Sequence, residues 1–378
     1  MDSKRGIKFI VILLLIVSFI SGITYTVYKY TSKEEKVSVE VTPNTSINEN
    51  KDTDDNILNN KLWIGTFNLV WNDFMDKEIG GPIKFVDGES KLADELNKQS
   101  FKEDQLNPDS LYKVMCPAIT ENKVKIEKDL LDKFNEKSEF LDRVLWDAPN
   151  NYIVYAMLKK EFNYLEKFPN LNSRKFKDYD KEVKYFGMDP SSTHRAKDSL
   201  DILFYNNEDD FAVRLNTKEN EEVYLYKNKG IDKSFEEVYK ELINKTESYT
   251  GDNEFNTIKD TIAIPYIKVK DEISYDELCN RNIVGSDAII TKALQNIDFE
   301  LNNCGGLVKS EALIEYTKNA IEISNNNKIK TMIFDDDFIL FMKEKGKEKP
   351  YMALKVDNID TLVIDEATIN DKESLEIY

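Results

Sequence analysis

The chain has 378 residues, 41% hydrophobic and 11% aromatic, enough to bury the core of one large domain or two ordinary ones. Lys and Arg number 52 against 70 Asp and Glu, and the net charge of −18 argues against a nucleic-acid partner, because phosphate binding needs a basic face. A single histidine, His194, excludes multi-histidine metal sites and leaves one Ser–His or Cys–His pair to consider.

Residues 9–28 (FIVILLLIVSFISGITYTVY) carry no charge. At a rise of about 1.5 Å per residue they span about 30 Å, the thickness of a bilayer's hydrocarbon core. Lys4, Arg5 and Lys8 precede the run, and positive charge stays cytoplasmic, so the remainder is expected outside. The run is long for a cleaved signal peptide and lacks a small-x-small cut site. Residues 1–30 therefore read as a single-pass signal anchor in the cell membrane, with the C-terminal domain extracellular. Residues 31–60 are polar, without a sustained apolar period, and read as a disordered stalk.

A folded pattern begins at residue 61. Residues 66–75 place Phe67, Val70, Trp71 and Phe74 on one helical face, and Gly80-Gly81-Pro82 stops the helix. Residues 127–140 read as a second helix, with Leu130, Leu131, Phe134 and Phe140 on its apolar side. Residues 151–158 (NYIVYAML) read as a strand buried on both faces. Strands are expected at 182–188, 200–205, 211–215 and 222–226, then a helix over 234–244 with Phe235, Val238, Tyr239 and Leu242 on one face. Residues 261–269 form a strand with a proline, hence an edge or bulged strand. Residues 274–279 read as a short helix capped by Ser274 with Glu277 three residues on. The last strands are 297–301, 331–334, 338–343 and 351–356, and residues 359–378 form an acidic tail. Helices come early and strands late, an α+β pattern with large mixed or antiparallel sheets.

No enzyme or metal signature emerges. Ser191, Ser192 and His194 are sequence neighbours, which does not make a triad, and there is no Gly-x-Ser-x-Gly elbow. Asp335-Asp336-Asp337 lacks the alternating ligands and central glycine of an EF-hand and reads as a strand-entry segment. Cys116, Cys279 and Cys304 have no metal-ligand spacing; a Cys279–Cys304 bridge is possible, and an odd count leaves at least one thiol free.

Phe334, Phe338 and the apolar run to Met342, then a polar turn and residues 351–358, resemble the C-terminal hairpin of the serpin family. Residues 261–269 followed by Ser274-Tyr275-Asp276-Glu277-Leu278 resemble its x-Pro-x-Phe-x-Ile strand and short helix. Residues 297–305 resemble the strand and hinge that open its reactive loop. Residues 151–168 and 200–222 are similar to further serpin strands, and order and spacing agree from about residue 66 to residue 358. The family's Asn in the opening strand is Tyr155 here, its Phe-Ser-Pro segment is replaced by residues 82–85, and residues 86–117 match poorly.

The resemblance implies a serpin-like domain over residues 61–358 with no cofactor. It also implies a protease-inhibitor mechanism in which a cut loop inserts as a central strand of a sheet. The partner would be a protease of the serine or cysteine class. Such a loop is extended and exposed at first and must later alternate between buriable and solvated residues. Gly306, Val308, Ser310, Ala312, Ile314 and Tyr316 form one set without a charge; Leu307, Lys309, Glu311, Leu313 and Glu315 form the other. The resemblance makes Gly305, Gly306, Val308, Ser310 and Ala312 the loop hinge. It puts the scissile bond near Lys318, Asn319 and Ala320, or further on within 324–330. Leu313, Tyr316, Thr317 and Ala320 also share a helical stripe, and the usual alanine run is missing. A non-inhibitory extracellular binding or structural domain on the same fold is therefore the alternative.

Overall fold

The computed structural model describes residues 62–192, 196–228, 233–309 and 329–366. The expected membrane span, the stalk and His194 lie outside these; among the described residues no helix is long and apolar enough to cross a membrane.

The described chain opens with β1 (Leu62–Ile64) and α1 (Thr66–Phe74). The helix is buried on more than its apolar stripe: Asn68, Asn72 and Asp73 are also inside. Each has a polar partner, since Trp63 Nε1 donates to Asn68, Asn72 donates to the Phe101 carbonyl, and Asp73 accepts from Lys77 and Lys113. A π turn, Met75–Ile79, runs on to Gly80, whose φ of 77° ends it. The poorly matching stretch holds α2 (Lys91–Asn97), capped by Ser90, and β2 (Tyr112–Pro117).

The second expected helix begins and ends earlier than its pattern suggested. It is α3 (Thr120–Phe134), stopped by Asn135 at φ 52°. Its buried stripe is Ile126, Leu130 and Phe134, four residues apart, and Leu131 is half exposed. The stripe packs on β3 (Tyr152–Met157) through Tyr155. Only Tyr155 is fully buried in β3, so this strand is not buried on both faces as expected.

Strands β4 (Lys160–Asn163), β5 (Asn170–Lys175), β6 (Glu182–Met188), β7 (Leu200–Asn207), β8 (Asp210–Asn216) and β9 (Glu221–Asn228) follow. Next comes α4 (Phe235–Ser248), held by a reciprocal Ser234–Glu237 capping box. The proline-bearing strand is two strands, β10 (Thr261–Pro265) and β11 (Ile267–Ser274), because the chain changes sheet at Tyr266; β10 is internal, between β14 and β6. Ser274 ends β11 and does not cap the short 3-10 turn Asp276–Leu278. Then come β12 (Leu294–Leu301), β13 (Gly305–Lys309), β14 (Thr331–Ile333), β15 (Phe338–Glu344) and β16 (Met352–Val356).

A six-stranded antiparallel sheet runs β1–β16–β15–β9–β8–β7. Every residue of β15 is buried, because both faces are covered. Ile339 and Phe341 meet Phe235 and Tyr239 of α4, while Phe338, Leu340 and Met342 face the main core. Across that core lies the sheet β11–β12–β13–β4, contributing Phe299, Leu301, Val308 and Phe162. A third sheet runs β14–β10–β6–β5. The expected tail does not start at residue 359. Leu362 and Ile364 bridge to Ile267 and Val183, and the Val363 N–H donates to the Tyr266 carbonyl, so residues 359–366 stitch β6 to β11.

Candidate functional site

The site is the slot between β12 and β4, with the strand that occupies it. In β12 every second residue is buried, ending with Phe299 and Leu301. The chain then reverses over Asn302–Cys304. The Asn302 side chain accepts from the Cys304 N–H at 2.8 Å, and the Asn302 N–H donates to the Gly305 carbonyl at 2.9 Å. Asn303 Nδ2 donates to Asn170 Oδ1 at 2.7 Å and ties the turn to β5.

Strand β13 pairs antiparallel on both sides. Leu301, Glu300, Phe299 and Asp298 oppose Gly306, Leu307, Val308 and Lys309 on one edge. Asn163, Phe162, Glu161 and Lys160 oppose Gly305, Gly306, Leu307 and Val308 on the other. The expectation that the hinge stands outside the sheet is corrected here: Gly305–Lys309 is already its central strand. The two glycines are required by close approach. A Cβ on Gly305 would lie 2.0 Å from the Phe162 carbonyl oxygen, and one on Gly306 2.4 Å from the Phe162 ring and 2.7 Å from the Glu300 carbonyl oxygen. Val308 is 0% exposed and part of the main core, whereas Leu307 is only partly buried. Ser310, Ala312, Lys318, Asn319 and Ala320 lie outside the described residues.

The chain re-enters the described structure at Ile329, which is exposed, followed by Lys330, which is 3% exposed. The Lys330 ammonium donates to Asp252 at 2.7 Å and to the Glu254 carbonyl at 2.8 Å, with Asp260 at 3.8 Å, and its N–H donates to Asp260 at 2.8 Å. Lys330 therefore cannot present its side chain to a trypsin-like protease, and it drops out of the alternative 324–330 window.

One group of residues had no sequence signal. Lys160 of β4 reaches through the core to Glu221 of β9 at 2.6 Å and to Glu344 of β15 at 2.5 Å. Tyr351 donates to Glu221 at 2.7 Å, and the Asn107 N–H donates to Glu344 at 2.9 Å. All four side chains are essentially without solvent contact. Lys160 is directly opposite Val308, so this charge cluster lies beside β13.

Other sequence candidates hold ordinary structural roles. Asp335 pairs with Lys227, and Asp337 with Lys177. Ser192 donates to Asp189 in a turn. Cys116, Cys279 and Cys304 are all free thiols, so the possible Cys279–Cys304 bridge is absent, and Cys304 is exposed in the hinge turn. Tyr155, at the family's Asn position, packs beneath α3, and burial pushes its hydroxyl up to about 12. Among the described residues no cluster of three or more His, Cys, Asp or Glu is arranged to hold a metal ion.

No protein-family model and no curated protein matches the chain. Among solved structures it is similar to Serpin48, a highly specific serpin of the insect Tenebrio molitor, at 12% identity over 79% of this chain and 92% of that one, with a TM-score of 0.41. It is similar to mouse protein Z-dependent protease inhibitor at 11% identity over 80% and 91%, with a TM-score of 0.48. It is also similar to thyroxine-binding globulin in complex with thyroxine, at 10% identity over 79% and 93%, with a TM-score of 0.42. These are likenesses in the course of the chain, and they carry no weight for activity. Strands form at the segments on which the resemblance rested, and residues 305–309 lie between β12 and β4.

Proposed function

We propose that the chain is an exported, membrane-anchored protease inhibitor that acts by loop cleavage and strand insertion. The observation that supports this most is the slot. β12 and β4 stand apart by one strand's width, and the first five residues of the loop already fill it in the register that buries Val308. Residues drawn in after cleavage would gain backbone partners along the rest of β12, residues 294–297, beyond the Asp298–Lys309 pair. Burying each apolar side chain is worth about 1.5–3 kcal/mol. The bait would be the region of Lys318, Asn319 and Ala320, offered to a serine or cysteine protease. Residues 9–28 would hold the domain at the outer face of the membrane.

The same slot favours a second reading. A strand seated before any cleavage leaves less energy to release, as in a non-inhibitory binding domain of the same fold. Incubation with a panel of serine and cysteine proteases separates the two. A heat- and SDS-stable complex supports the inhibitor. Simple cleavage without a complex, and no rise in melting temperature after nicking, supports the binding domain.

A further inference from the structure

The buried cluster beside the hinge contains one cation and two carboxylates. Lys160 supplies the ammonium from β4, while Glu221 and Glu344 come from β9 and β15 of the opposite sheet. Among the described residues, Tyr351, just before β16, and the Asn107 N–H are the other donors to the two carboxylates. The neighbouring charges are engaged elsewhere. Glu219 accepts from the Asn163 N–H at 2.7 Å, Lys345 is bonded to the Glu219 carbonyl, and Lys343 pairs with Glu222. Lys159 pairs with Glu136. With every group ionised, the cluster keeps one uncompensated negative charge out of water, which is costly. Burial accordingly holds the Glu221 carboxyl above the usual carboxylate range.

The cluster lies beside the seated strand: the buried Val308 stands directly opposite Lys160. Withdrawal of β13 would let water reach the carboxylates and relieve the excess charge. A proton bound more tightly with the strand in than with it out must favour the strand in, by linkage.

We propose that Lys160, Glu221 and Glu344 form a proton-operated latch: a proton on the carboxylate pair keeps β13 seated beside β4, and its loss eases β13 out. This rests on the reading of residues 305–309 as a hinge that can leave the slot. Acid would hold the strand in place, and neutral to alkaline conditions would free it.

The test is hydrogen exchange of residues 303–309 in the full-length protein in detergent, read by mass spectrometry and corrected for intrinsic exchange at each pH. Protection of the wild type should rise severalfold from pH 8 to pH 5, because the buried Glu221 carboxyl, held above the usual carboxylate range, binds its proton more tightly with the strand in than with it out. Glu221→Gln and Glu344→Gln each leave one carboxylate for one ammonium. Either should show the acid level of protection already at pH 8, with no further change on acidification. The latch is overturned if wild-type protection does not vary with pH, or if both variants keep the wild-type slope. A purely structural cluster would lower stability in the variants without moving the pH profile. The readout involves no protease, so a negative inhibition panel leaves it intact, and a flat profile leaves the inhibitor reading intact.

Discussion

Strand β13 and Lys330 bracket the residues that carry the candidate scissile positions. Each lies against one buried lysine and two carboxylates, yet the two anchors are built differently. At the upstream end Lys160, Glu221 and Glu344 are all sealed from water, and the anchoring segment is itself apolar, two glycines and a valine. At the downstream end the anchoring residue is the lysine. Of its two acids Asp260 is buried, while the Asp252 side chain is 27% exposed. The consequence appears in the carboxyls. Burial dominates at Glu221 and raises it. At Asp252 burial pushes upward too, but the bond from Lys330 and the Glu254 N–H outweigh it, and the group lies below the usual range. Acid should therefore tighten the upstream anchor and loosen the downstream one. The same three charges give opposite pH responses because one site is dry and the other is open on one side.

The largest break in this comparison comes from placing charge on the upstream strand. Val308→Asp puts a carboxylate at a site with no solvent contact, beside a cluster that already has an excess of negative charge. An unpaired buried charge costs about 4 kcal/mol or more. Either the domain loses that stability in urea denaturation, or β13 leaves the slot and residues 305–309 exchange freely. Leu307→Asp, on the partly exposed face one residue away, should cost about 1 kcal/mol or less. Equal effects of the two substitutions would mean that β13 is not a one-sidedly buried strand.

Removing the downstream cation comes next. Lys330→Met fills similar volume but leaves Asp260 without its ammonium, although the Asn256 and Lys330 N–H groups still donate to it. Breaking a fully buried pair costs about 3–5 kcal/mol; with those donors retained, about 2–3 kcal/mol is expected. Limited proteolysis should then cut after residue 328 faster than in the wild type, while protection of residues 305–309 stays unchanged. Equal loosening of both ends would show that the anchors are one cooperative unit rather than two.

How far this arrangement could be read in advance depended on the distance between partners. The apolar face of 234–244 and the apolar run of 338–343 are local, and both elements form where those patterns place them. The resemblance put Gly305 and Gly306 in the loop hinge, and the period-two spacing put Val308 in the buriable set. That spacing cannot say whether the strand is in the sheet or outside it, because the same residues suit both states. Lys160 followed an apolar run and looked like any solvated lysine. Its two carboxylates are 61 and 184 residues away, and only the packing of β4 onto β9 and β15 unites them. The 359–366 segment was read as a tail because its charges masked Leu362 and Ile364, two apolar residues spaced for one strand face.

The smallest expected effect tests the sign of the pH contrast. Because the Asp252 carboxyl lies below its ordinary value when folded, its contribution is fully present above the unfolded value of about 3.9. It is lost as the pH falls through the folded value. Asp252 is partly exposed, so solvent screening keeps that contribution small. Asp252→Asn should lower the melting temperature by about 1–3 °C at pH 7. The gap to the wild type should start to close below about 4 and vanish once the pH has fallen through the lower, folded value, where the wild-type carboxyl is itself protonated. Glu221→Gln should differ from the wild type with the opposite sign: because the Glu221 carboxyl is raised when folded, the variant should melt above the wild type at high pH, and that gain should shrink on acidification. If both variants melt below the wild type at high pH, the contrast between a dry and an open anchor is wrong, whatever the protein inhibits.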